Sequence, residues 1–159
     1  MKLRMTKRQC TTNILNEILA KNPYGIHFSG HGLLNNEQEL GPDLFKMYKG
    51  EGNFLLLETE DGSGNLVSTD TLTQMIQKNY TSNSLQLVVV ATCHSEFVGE
   101  IFQEAGAKHV ICIHQEYEVE DDAVITFTDS FYGLLFDQKT ICDAFEQAKL
   151  QVLLTHSEQ

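Results

Sequence analysis

The chain reads as an α/β layered domain on a mostly parallel sheet. Three observations predict it. Residues 85–92 (LQLVVVAT) are apolar and β-branched without alternation, the pattern of a central strand covered on both faces. Residues 24–29 form a shorter run of the same kind. Segments with apolar residues at helical spacing separate and follow these runs, and strands alternating with helices build parallel sheets.

Taken in order, residues 11–21 predict a helix. Ile14, Leu15, Ile18 and Leu19 share one face, Thr11 or Thr12 caps it, and Asn22-Pro23 stops it. Residues 24–29 predict a strand, and Gly30-His31-Gly32 a tight turn whose glycines take positive φ. Residues 33–52 are polar and broken by Gly41-Pro42 and Lys49-Gly50. They predict a loop with one helical turn near Leu44 to Tyr48. Residues 53–59 predict a strand, turned by Asp61 to Asn65 into a return strand at Leu66-Val67. The glycines of that turn lack the Lys-Ser/Thr ending and the following helix of a phosphate loop. Ser68-Thr69-Asp70 caps a helix over 71–79, and 81–84 is a loop. After the strand at 85–92, a helix over 96–105 carries Phe97, Ile101 and Phe102 on one face and closes at Gly106. Residues 109–114 predict a buried strand, 115–122 an acidic stretch, and 123–135 and 140–155 two amphipathic helices.

The bulk numbers bound the function. The 159 residues suit a single domain over 1–159. A formal net charge of −11 argues against nucleic acid and against anionic membranes, since both need clustered Lys and Arg. Lys2, Arg4, Lys7 and Arg8 read as a solvated helix end. The first twenty residues lack the apolar core and cleavage site of a signal peptide, and no run is long enough to span a bilayer. Cys10, Cys93, Cys112 and Cys142 form no CxxC pair, which argues against a zinc knuckle. Reduced thiols in a cytoplasmic protein are expected. Cys112 and Cys142 are expected to be core thiols.

Two residues carry chemistry. In open α/β sheets, sites lie beyond the carboxyl ends of the strands. His31 and Cys93 both follow such ends. A thiol needs an imidazole to become a good nucleophile, and backbone N–H groups must face the developing oxyanion. Cys93 is the candidate nucleophile, His31 the candidate general acid/base, and Gly32 with the amide of Cys93 the candidate oxyanion donors. A core cysteine and a structural histidine fit the same positions. A ligand-binding α/β domain with a coincidental Cys and His is a further reading. His27 reads as a half-buried strand residue. His94 is expected beside the cleft or at the start of the next helix. Glu116, Glu118, Glu120, Asp121 and Asp122 fit a solvated loop and helix start.

Phe28-Ser29-Gly30-His31-Gly32, followed by Val88-Val89-Val90-Ala91-Thr92-Cys93-His94-Ser95, resembles the CHAT domain, a branch of the caspase-like cysteine peptidases. Glu104-Ala105-Gly106-Ala107-Lys108-His109-Val110-Ile111, Phe127 to Leu135 with Phe131-Tyr132, and Ala144-Phe145-Glu146-Gln147-Ala148 extend the likeness over residues 23–152. The resemblance implies a caspase-like three-layer α/β/α sandwich, a His31/Cys93 dyad, cleavage of protein or peptide substrates, and no cofactor or metal. It also implies that the loops after the cysteine strand and its neighbour shape the P1 pocket, where one carboxylate of the acidic stretch would select Arg or Lys, and it makes His94, Glu116 and Glu118 substrate-binding candidates. Two departures follow. The family carries further strands and helices before the histidine strand, so N-terminal strands are expected to be missing here and the chain to be a fragment or a trimmed form. The open sheet edge would then suit a dimer or a larger parent protein. The family's Trp-containing stretch reads Ile113-His114-Gln115-Glu116-Tyr117 here. The alternative function is a catalytically silent CHAT-like module for protein–protein interaction or signalling.

Overall fold

Residues 5–80, 85–114 and 119–156, which the computed structural model describes, form six helices and six strands. In chain order these are α1 (Thr12–Ala20), β1 (Gly25–Ser29), β2 (His31–Leu33), α2 (Glu37–Met47), β3 (Phe54–Glu58), β4 (Gly64–Ser68), α3 (Thr69–Asn79), β5 (Leu87–Ala91), α4 (Glu96–Glu104), β6 (His109–Cys112), α5 (Asp121–Phe136) and α6 (Ile141–His156). They fall into two compact units, within Lys7–Glu118 and within Val119–Gln159.

The larger unit holds two sheets. One is parallel in the order β1-β5-β6, and the other is an antiparallel meander, β2-β3-β4. The architecture is thus α/β with a parallel sheet, as expected, and an antiparallel sheet joins it. β5 is central, and Leu87, Val88, Val89 and Val90 are all buried, so both of its faces are covered. That explains the absence of alternation in its sequence. Val88 and Val90 join a core with Leu19 of α1, Leu55 and Leu57 of β3, Ile76 of α3 and Phe102 of α4. α1 buries Leu15 and Leu19 and is capped by Thr11, whose Oγ1 accepts from the Ile14 N–H at 3.2 Å. Ser68 caps α3 in the same way.

Two local expectations are corrected. Residues 37–47 are helical, where a loop with one turn was expected. Asn36 caps the first turn by accepting the Glu39 N–H at 2.9 Å, and Glu37 and Glu39 suit the positive end of the helix. Gly41, at φ 73°, breaks the axis, and Pro42 opens the second segment, where its missing N–H costs little. His31–Leu33 is a strand paired with β3, where a tight turn was expected. Neither Gly30 nor Gly32 takes positive φ.

His27 lies half-buried on β1, opposite Val89. Burial pushes its imidazole below the usual 6.5. Folding therefore favours the neutral ring, and the unfolded chain binds more protons as pH falls below 6.5. Stability contributed by His27 is present above that value and is lost on acidification. Urea melts at pH 7.5 and pH 5 are expected to show a loss that shrinks in His27→Gln. An equal loss in both proteins would contradict the assignment.

The second unit is a helical hairpin. Phe127 stacks on Phe131 at 5.5 Å between ring centroids, and Phe145 of α6 meets Phe127 edge-on at 5.8 Å. Thr140 caps α6 by accepting the Asp143 N–H at 3.1 Å. Among the described residues, no helix is long and apolar enough to cross a membrane.

Candidate active site

The site is assembled where β1 and β5 end. Their last paired residues are Ser29 and Ala91. His31 and Cys93 each follow two residues later, so the sheet register carries both to the same end of neighbouring parallel strands. The chain then diverges. After a bend at Gly30 the first segment enters β2, while the second turns through Thr92 to Ser95 into α4.

Gly32 joins the two segments. A Cβ built on it would stand 2.3 Å from the Cys93 carbonyl oxygen and 3.2 Å from the Thr92 Oγ1. The residue after His31 therefore packs its bare backbone against the backbone of Cys93. Glycine is required for clearance, where positive φ had been expected. The left-handed conformation lies instead at His94, with φ 52°, an uncommon position for a residue with a side chain. Thr92 Oγ1 is buried beside this joint with no hydrogen-bond partner among the described residues.

His31 is exposed and Cys93 is half-buried at the mouth. His94 is 9% exposed. Its Nε2 lies 3.6 Å from the Glu39 Oε1, within ion-pair reach but longer than a hydrogen bond. The other Glu39 oxygen accepts the Leu34 N–H at 2.7 Å. Ser95 is fully buried. Its Oγ donates to the Val90 carbonyl at 3.0 Å and accepts the Ile113 N–H at 2.8 Å, which ties the end of β5 to the residue after β6. This employment explains why Ser95 precedes α4 without capping it by a side-chain bond. Ser95→Ala would leave the part-buried Ile113 N–H without that acceptor, and a loss of about 0.5–1.5 kcal/mol is expected in urea denaturation. Wild-type stability in that variant would contradict the role.

An open groove of about 430 Å³ lies on the meander side. Leu33, Leu40, Leu44, Tyr48, Leu56 and Leu66 line it, together with Glu39. Leu56 is the register partner of His31. Glu116 and Glu118 lie outside the described residues. Asp121 and Asp122 occupy the first turn of α5. All four cysteines are free thiols. Cys112 and Cys142 are exposed, where core positions were expected. β6 is the end strand of its sheet. Among the described residues no group of three His, Cys, Asp or Glu side chains gathers as a metal site.

Sequence reasoning missed Glu39 and gave Ser95 no role. Asn36-x-x-Glu39 is a capping-box pattern that could have pointed to the helix carrying Glu39. No local signal marks Ser95.

Comparison with curated proteins gives no matching relative. The family model of the CHAT domain matches residues 2–159, a wider span than the 23–152 carried by the motifs. With His31-Gly32 and Thr92-Cys93 meeting at one end of a parallel sheet, and with that match across nearly the whole length, the chain belongs to the CHAT domain family, which is related to the caspase-like cysteine peptidases.

Proposed function

We propose that the chain is a cysteine endopeptidase domain acting on protein or peptide substrates through Cys93 and His31. The contact of Gly32 with the Cys93 carbonyl carries this reading, because it joins the two motif segments directly. In the first step His31 takes the Cys93 thiol proton and the sulfur attacks the scissile carbonyl carbon. The backbone N–H groups of Gly32 and Cys93 receive the oxyanion. The intermediate collapses, the C–N bond breaks, and His31 returns the proton to the leaving amine. Water, deprotonated by His31, then attacks the thioester and releases the acid and the thiol. The start of α4, three residues after Cys93, favours negative charge nearby.

The acidic stretch containing Glu116 and Glu118 supports a preference for Arg or Lys at P1. A peptide mixture offering Arg, Lys, Asp and Asn is the test, with new termini read by mass spectrometry. Cleavage after Arg or Lys is expected, and none in Cys93→Ala. A clear Asp preference would sink the P1 assignment. Wild-type cleavage matched by Cys93→Ala, or no cleavage by the wild type, would sink the peptidase reading.

A further inference from the structure

We propose that Glu39 is a positioning residue that locks the histidine-bearing segment to the cysteine-bearing segment. The proposal rests on the dyad reading, since its purpose is to hold that pair in register. Glu39 sits in the first turn of α2, fixed there by its own N–H on the Asn36 side chain. Its two carboxylate oxygens diverge. One accepts the Leu34 N–H at 2.7 Å, three residues after His31. The other faces the His94 Nε2 at 3.6 Å, one residue after Cys93. With the Gly32 contact on the Cys93 carbonyl, the two segments are held at two separate points.

Two further observations favour a bridge over a simple helix cap. The Asn36 N–H, the usual target of a capping-box glutamate, donates to the Leu34 carbonyl instead, and the Glu39 carboxylate reaches past it to the Leu34 N–H. His94 holds φ 52°, which costs energy for a residue with a side chain unless its surroundings enforce it. The Glu39 carboxylate is a charged group that the buried imidazole faces. Anchors three residues from His31 and one residue from Cys93 bear on the separation of the pair, and an error of about 1 Å in such a pair costs up to a hundredfold in rate.

The test is the alkylation rate of each thiol by iodoacetamide, with His31→Ala as the reference for a lost dyad. Glu39→Leu is expected to slow Cys93 by about tenfold or more. Glu39→Gln keeps an acceptor for Leu34 and a partner for the imidazole, so it should restore most of the rate. His94→Asn, which tolerates positive φ, should match the loss of Glu39→Leu, and the double variant should be no slower than either single one. The Cys10 rate reports global damage, because unfolding would expose Cys10 and speed it. If Glu39→Leu unfolds the protein, Glu39→Gln and His94→Asn still decide. Amide exchange at Leu34 reads the bridge without any dyad chemistry: His94→Asn should accelerate it through the loosened carboxylate. A Cys93 rate within twofold of wild type in Glu39→Leu and His94→Asn, while His31→Ala slows it, would overturn the bridge and leave the dyad standing. So would losses that multiply in the double variant, or unchanged Leu34 exchange. A Cys93 rate indifferent to His31→Ala would overturn the dyad, while faster Leu34 exchange in His94→Asn would still support the bridge.

Discussion

Gly32→Ala is expected to destabilise the larger unit by about 2–4 kcal/mol and to abolish the activation proposed for Cys93. The added methyl would lie 2.3 Å from the Cys93 carbonyl oxygen. The obstacle is backbone, so no side-chain rotation relieves it. Either β2 must leave β3 or the turn through Cys93 must shift, and each disrupts the site. Overpacking in a close-packed region costs about 1–3 kcal/mol and sometimes more. A backbone obstacle puts this case at the upper end. Gly133→Ala in α5 is the control, because nothing lies within 4 Å of its added Cβ. There the change should be neutral or stabilising by up to about 1 kcal/mol, since alanine suits a helix interior better. Urea midpoints of the two variants make the comparison. Wild-type stability in Gly32→Ala would contradict the joint.

His31→Ala is expected to do the opposite, harming chemistry and sparing the fold. His31 is exposed and begins a three-residue strand, so its truncation removes little buried surface. Stability should stay within about 0.5 kcal/mol of wild type, as for other surface changes. Peptide turnover should fall by about 10²–10⁴, the usual contribution of a positioned acid/base. The pairing of a large loss in turnover with a small loss in stability separates a catalytic histidine from a structural one. Comparable turnover in wild type and variant would remove His31 from the mechanism.

Much of this arrangement was legible in the residues, and the parts that were not share a physical cause. The run at 87–90 announced a doubly covered strand because its burial is continuous. The β3–β4 hairpin and the helix caps at Thr11 and Ser68 were legible because turn and cap chemistry is local. His31 and Cys93 could be placed together because strand ends in parallel sheets are predictable places. β2 was invisible: three residues show no period, and its partner, Leu55 opposite Gly32, lies far along the chain. α2 was hidden by its polar composition and by Gly41-Pro42. The glycines of the histidine motif were recognised but explained by the wrong cause, because clearance against Cys93 is a tertiary fact. The same holds for the Glu39–His94 contact and for Ser95 between Val90 and Ile113. Each depends on which distant segment arrives: Cys93 for Gly32, His94 for Glu39 and Ile113 for Ser95.

The most direct measurement is the iodoacetamide rate of all four thiols at pH 7.5, in wild type and in His31→Ala. Cys10 provides a slow internal standard. Burial, and then the Glu58 carboxylate, push its thiol up from 9.0 to about 11. Its thiolate is about a hundredfold scarcer than at 9.0, and higher basicity recovers just under tenfold, so it should react about tenfold slower than an ordinary thiol. Cys93 is expected to react fastest of the four and to lose that lead in His31→Ala. A Cys93 no faster than Cys142, or equally fast without His31, would contradict the account.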